Sequence, residues 1–212
     1  MVQRRAWAQL AGSVLLLLAA AAAHGASGQQ LFAACVACHG ARAEGNPAVG
    51  APALAGQQAS YLQRQLRNFG AGLRGTHKED VYGAQMRAAN QSLLRDERAI
   101  VAVARYIAGL PKTSPARPGK FDARNGNNLY QGKCGACHGG KAEGNDALGA
   151  PRLAGLDAAY LQRQFGHFKR GVRGVHPDDR YGRQMAMMST TLATEREIDD
   201  VIGHILTVGA SR

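Results

Sequence analysis

The chain has 212 residues, with 26 Lys and Arg against 15 Asp and Glu, a formal net charge of +11, and four cysteines. Removing a leader that carries Arg4 and Arg5 leaves 24 basic against 15 acidic residues, a formal +9, which steers a protein toward acidic surfaces and weakens with salt. Nucleic acid is excluded as a partner because the basic residues are scattered rather than gathered in a run, and part of the charge serves solubility alone.

Residues 1–25 open with Arg4 and Arg5, pass through an apolar run from Val14 to Ala23 and end in small residues, the pattern of a secretory signal peptide. The run falls short of the about 20 apolar residues that a spanning helix needs, which favours cleavage near Ala23 to Ala26 over a permanent anchor. The bacterial periplasm is the expected compartment. Arg4-Arg5 alone does not specify a twin-arginine export route.

A short helix with Phe32 on its buried side leads into Cys35-Val-Ala-Cys38-His39. A second helix carries Tyr61, Leu62, Leu66 and Phe69, and a last one Ile100, Val103 and Ile107, stripes at helical spacing that belong to a helix-helix core. Three prolines between Pro111 and Lys120 disfavour helix and make an extended connector. The same order then returns: Tyr130, Cys134-Gly-Ala-Cys137-His138, a helix with Tyr160, Leu161, Phe165 and Phe168, and a last helix with Ile198, Val201, Ile202 and Ile205. Thr194-Glu195-Arg196-Glu197 reads as the capping box of that last helix. No Val/Ile-rich strand is visible, so the expected fold class is all-α with glycine-rich loops.

A shift of 99 residues superposes the two CxxCH strings and continues beyond them without a gap, aligning Glu44-Gly45-Asn46 with Glu143-Gly144-Asn145 and Tyr61-Leu62-Gln63-Arg64-Gln65 with Tyr160-Leu161-Gln162-Arg163-Gln164. Upstream, Leu31-Phe32 match Leu129-Tyr130 at a shift of 98. The chain is therefore read as a tandem duplication, with domains at 26–110 and 121–212 and a linker at 111–120. Each half has fewer than 100 residues, a size at which a purely polypeptide core is marginal.

The two CxxCH strings use all four cysteines, and each matches the attachment signature of a c-type haem. Two thiols three positions apart can each form a thioether to one porphyrin edge, while the adjoining imidazole reaches the iron as proximal ligand. Zinc sites place CxxC pairs about 15 to 20 residues apart, whereas here 96 residues separate Cys38 from Cys134. A thioredoxin-like pair needs a strand-helix-strand context, and a disulfide framework needs no histidine after each pair. Two covalently bound haem c groups are thus expected, held by Cys35, Cys38 and His39 and by Cys134, Cys137 and His138. An apolar macrocycle would supply much of each small core, so each half should fold poorly before attachment.

A haem that only shuttles electrons fills both axial positions, with methionine or histidine opposite the proximal imidazole. Met86 and Met185 coincide at the shift of 99, each 47 residues after its proximal histidine, whereas Met187 and Met188 fall on Ala88 and Ala89, His167 on Asn68 and His204 on Arg105. The one other matched pair, His77 with His176, sits in polar contexts that read as exposed loop. Met86 and Met185 are the preferred distal ligands, in a loop that closes over the ring, with core filling as the competing reading. Pro52 and Pro151 are candidates to offer carbonyl oxygens to the proximal histidines, against a plain turn. Arg74 and Arg173 are candidates to pair with propionates, or else are solvated.

Taken together, Cys35-Val-Ala-Cys38-His39-Gly40, Pro52-Ala-Leu-Ala-Gly56-Gln57, Tyr61-Leu62-Gln63-Arg64-Gln65-Leu66 and Gly72-Leu-Arg74 followed by Met86 resemble the first domain of the dihaem cytochrome c4 family. The second copy follows suit, with Gly155-Leu156 departing from the usual Gly-Gln. The resemblance implies two tandem class I cytochrome c domains about an approximate twofold axis, His/Met ligation in each, and haems close enough for rapid internal transfer. It further implies a periplasmic electron carrier, soluble or loosely membrane-associated, between a quinol-oxidising bc-type complex or dehydrogenase and a haem-copper terminal oxidase. The competing functions are the haem subunit of a dehydrogenase, such as a flavocytochrome, and a dihaem peroxidase, which needs one displaceable distal ligand.

Overall fold

The computed structural model describes residues 26–93, 96–114 and 118–210; the leader expected over 1–25 lies outside the described residues. Helix α1 (Gly28–Phe32) starts at a capping box in which Ser27 and Gln30 satisfy each other's backbone amides. It runs through a 3₁₀ turn (Ala33–Cys35) into α2 (Val36–His39). After a long loop come α3 (Ala59–Gly70), α4 (Val81–Leu93) and α5 (Glu97–Ala108). The second copy repeats this as α6 (Ala123–Lys133), α7 (Gly135–His138), α8 (Ala158–Lys169), α9 (Arg180–Ser189) and α10 (Glu195–Ala210). The described residues hold no strand, only two isolated bridges at Asn46 with Ala51 and Asn145 with Ala150.

The apolar stripes face inward as their spacing requires. In the first copy Phe32, Leu62, Leu66, Ile100, Val103 and Ile107 form one cluster, and in the second Tyr130, Leu161, Ile198, Val201, Ile202 and Ile205 form another. First and last helices cross closely in both copies. A Cβ on Gly28 would lie 2.3 Å from the Ala102 carbonyl oxygen, and one on Gly126 would lie 2.2 Å from that of Asp200. Glycine at those points is a condition of the crossing. Thr194 and Glu197 exchange the two hydrogen bonds of a capping box at the start of α10, at 3.2 and 3.1 Å.

Two expectations fail for identifiable reasons. Met86 and Met185 lie within the helices α4 and α9, not in a loop. Each segment starts on a buried aspartate rather than on a long apolar stripe: Asp80 Oδ1 accepts from Gly83 N and Asp179 Oδ1 from Gly182 N, both at 2.9 Å. The 99-residue register is also not continuous. Phe32 packs on Tyr106 with ring centroids 5.6 Å apart, and Tyr130 packs on His204 at 5.0 Å. Hence His204 stands where the first copy has Tyr106, not Arg105, and the offset returns to 98 between Asn90 and Ile100. Within the linker, 111–114 has no regular structure and Thr113 Oγ1 donates to the Gly155 carbonyl at 3.4 Å. Among the described residues no helix is long and apolar enough to cross a membrane.

Candidate functional site

In each copy the CxxCH string forms a single helical turn that ends at a glycine with positive φ, Gly40 at 80° and Gly139 at 82°. His39 and His138 close those turns and are buried. The Nδ1 atom of each lies 2.9 Å from a proline carbonyl, Pro52 for His39 and Pro151 for His138. A carbonyl only accepts, so Nδ1 carries the proton and Nε2 keeps its lone pair for a metal. Burial pushes both imidazoles below their ordinary range, the carbonyl contact opposing it, so both are neutral near pH 7.

The proline carbonyls are held in place by a strained residue. Ala43 and Ala142, fully buried, adopt φ of 56° and 57° in the left-handed region. That conformation costs about 1–2 kcal/mol for a residue with a Cβ. In return their carbonyls accept from Leu54 N and Leu153 N at 2.8 and 2.9 Å, pinning each Pro-containing loop against the CxxCH turn.

In the second copy Cys134, Cys137, His138 and Met185 share one cavity of about 370 Å³, whose remaining wall is largely apolar and includes Phe165, Phe168 and Ile205. In the first copy Met86 and Cys35 are half-buried against the cluster of Phe32, Leu62 and Ile107. Burial raises the thiol of Cys35 and pushes that of Cys134 up to about 11, against the lowering effect of Lys133. Two thiols, one imidazole nitrogen with a free lone pair and one thioether around an apolar space fit an iron porphyrin. His77 and His176 instead cap local turns, each Nδ1 accepting from the backbone two residues on, at 3.2 Å.

The cavity of the second copy is also lined by Tyr61, Arg64 and Gln65 of the first, so it reaches the surface where the copies meet. That surface is reciprocal. Arg64 Nη2 donates to the Gly149 carbonyl at 2.5 Å and stacks on Tyr181; Arg163 Nη2 donates to the Gly50 carbonyl at 2.7 Å and stacks on Tyr82. Arg74 donates to Gln164 and Arg173 to Gln65, both at 3.0 Å. Such exchange is the mark of an approximate twofold axis. Arg74 and Arg173 are therefore buried rather than solvated. Sequence reasoning missed these contacts, although Tyr-Leu-Gln-Arg-Gln repeats polar residues as strictly as apolar ones. The Nε atoms of Arg64, Arg74, Arg163 and Arg173 are buried without a hydrogen-bond partner, a donor set suited to carboxylates.

The Cytochrome c family model matches residues 25–111 and 123–209. A thiosulfate dehydrogenase electron acceptor of Stutzerimonas stutzeri (strain A1501) is 32% identical over 94% of each chain. A cytochrome c4 of Azotobacter vinelandii is 32% identical over 80% of this chain and 83% of its own. The crystal structure of reduced recombinant cytochrome c4 from Pseudomonas stutzeri superposes with a TM-score of 0.67 and 27% identity, covering 86% of this chain and 98% of that one. The chain thus belongs to the cytochrome c family, as a dihaem electron carrier of the cytochrome c4 type with two covalently bound haem c groups.

Proposed function

We propose that this chain is a periplasmic carrier that takes electrons from a dehydrogenase or a quinol-oxidising bc-type complex and delivers them to a terminal oxidase. The observation that carries the reading is the single apolar cavity shared by Cys134, Cys137, His138 and Met185, repeated in residue type by Cys35, Cys38, His39 and Met86. The bound iron porphyrin supplies reversible one-electron chemistry at iron. The chain's residues do the rest.

Cys35 and Cys38, and Cys134 and Cys137, would hold the macrocycles by thioether bonds, and His39 and His138 would ligate through the Nε2 atoms left free by the contacts of Nδ1 with Pro52 and Pro151. Met86 and Met185, positioned on α4 and α9, would supply a thioether to each iron, and such a ligand would raise the reduction potential. The buried guanidiniums of Arg74 and Arg173 face inward between the copies and suit propionates. A methionine held by each copy would leave neither iron open to peroxide. The leader pattern of 1–25 supports export, and a relative named as a thiosulfate dehydrogenase electron acceptor supports a sulfur-compound dehydrogenase as donor.

Spectroelectrochemical titration of the holoprotein and of the separate Met86→Ala and Met185→Ala variants tests the ligation. Each variant should lower the potential of one haem and leave the other. Potentials well below zero for both wild-type haems, or turnover of hydrogen peroxide, contradict the proposal.

A further inference from the structure

The peptide unit between Pro151 and Arg152 is hydrogen-bonded at both ends. Its carbonyl, that of Pro151, lies 2.9 Å from His138 Nδ1. Its amide, Arg152 N, donates across the surface between the copies to Gln57 Oε1 at 2.9 Å and Gln58 Oε1 at 3.0 Å. Gln57 Nε2 donates in turn to the Arg152 carbonyl at 2.9 Å, and Gln58 Nε2 to the Ala150 carbonyl at 3.3 Å. A carbonyl only accepts and a peptide N–H only donates, so the orientation of both side-chain amides is fixed. The first copy lacks this arrangement. There the Pro52 carbonyl lies 2.9 Å from His39 Nδ1, but among the described residues nothing accepts from Ala53 N, the other end of that peptide. At the shift of 99 Leu156 stands for Gln57 and Asp157 for Gln58. Leucine has no acceptor, and Asp157 Oδ1 is taken by Tyr160 N at the start of α8. Arg64 and Arg163 make matching contacts and do not distinguish the copies.

A hydrogen bond at a peptide N–H polarises the unit and strengthens its carbonyl as an acceptor. A stronger acceptor at Nδ1–H makes the other ring nitrogen of a histidine more basic. We propose that Gln57 and Gln58 of the first module are positioning residues for His138 of the second, acting through the Pro151–Arg152 peptide to raise the basicity of its Nε2. His39 receives no such support from the second module. A more basic imidazole favours iron(III) over iron(II), so the link lowers the reduction potential of the second haem alone. The inference rests on the reading above that His39 and His138 are the proximal ligands.

Proton and nitrogen magnetic resonance of the reduced, diamagnetic holoprotein reads the two Nδ1–H groups directly, and the same spectra followed through a mediated redox titration give the potential of each haem. Gln57→Leu/Gln58→Leu should move the His138 Nδ1–H signal upfield and speed its exchange with solvent. It should also raise the equilibrium constant for one-electron reduction of the second haem at least threefold, about 28 mV at 59 mV per tenfold, while the first haem shifts less than half as far. Ser60→Ala, which removes the contact of Ser60 with Asp146 on the same surface, should change neither. Leu156→Gln is the converse experiment. Leu156 and Ala53 line one small space between the copies, so a glutamine there brings an acceptor to Ala53 N. The His39 Nδ1–H signal should move downfield and the potential of the first haem should fall. If the double variant parts the modules, a change that small-angle scattering reports, both haems shift together and Leu156→Gln decides alone. An unmoved His138 Nδ1–H, a fall in the second potential, equal shifts at both haems with the modules still joined, or no response of His39 to Leu156→Gln would overturn the proposal. Wrong proximal ligands would show already in the wild type, as histidine Nδ1–H signals without the ring-current shifts of a bound porphyrin, and would overturn both readings.

Discussion

Replacing Gly126 with alanine should destabilise the second module through a steric overlap of about 1 Å. The added Cβ would meet the Asp200 carbonyl oxygen at 2.2 Å and its carbon at 2.8 Å, both backbone atoms of α10 that cannot swing aside. Relief requires α6 and α10 to part by about 1 Å, an overpacking that costs about 1–3 kcal/mol, with the upper end expected where backbone faces backbone. The smaller conformational entropy of unfolded alanine returns about 0.4–1 kcal/mol. A net loss of about 2 kcal/mol lowers Tm by roughly 8–16 °C for a domain of this size. Because α6 runs directly into Cys134 and α10 walls the cavity, the visible spectrum of one haem should change with it. The assay is thermal unfolding of the holoprotein followed by far-ultraviolet dichroism and haem absorbance. A Tm change under 2 °C, or a rise, would refute the claim that these helices cross in contact. Gly28→Ala, with its Cβ 2.3 Å from the Ala102 carbonyl oxygen, should produce the same loss in the first module.

Other outcomes follow from the same geometry. At the surface between the copies His167 faces Asp80 across 3.6 Å, where the related pair is Asn68 and Asp179. Burial lowers the His167 imidazole, and Arg170, Arg163 and Arg173 add to this against the opposing Asp80. The folded state therefore resists the proton that the unfolded chain accepts near pH 6.5. Stability is kept above that value and lost as pH falls below it, and His167→Asn should flatten this slope in denaturant titrations at pH 5 to 8; a slope equal to wild type would refute it. Asp179→Ala removes the acceptor for Gly182 N and Asn68, so it should cost about 1–2 kcal/mol in urea unfolding and disturb the methionine-iron band of one haem only. Protein made without haem attachment should lack native helix content by circular dichroism, and a sharp cooperative melt of such material would count against an apolar macrocycle completing each core.

Much of the fold is legible in the sequence because covalent haem chemistry leaves little freedom in spacing. The CxxCH strings, the duplication and the stripes through Leu62, Leu66 and Phe69 or Ile198, Val201 and Ile205 each depend on local periodicity. The helices that carry Met86 and Met185 do not. Val81–Leu93 has no apolar face to betray it, since much of its surface stays exposed, and its start rests on one buried aspartate. The interface arginines are illegible for another reason: Arg64 and Arg163 look like solvated charges until the twofold places a carbonyl and a tyrosine ring against each. The place of His204 is hidden by a one-residue change of register in a polar turn, which the ring contact with Tyr130 and the matching crossings at Gly28 and Gly126 reveal.

The most direct measurement is intact-mass analysis of the purified protein combined with optical spectra of its oxidised and reduced forms. Two covalent haems per chain, no free thiol, and a methionine-iron signature lost stepwise in Met86→Ala and Met185→Ala are the predicted result. A colourless chain with four titratable thiols, or haems whose spectra ignore both methionines, would contradict the account.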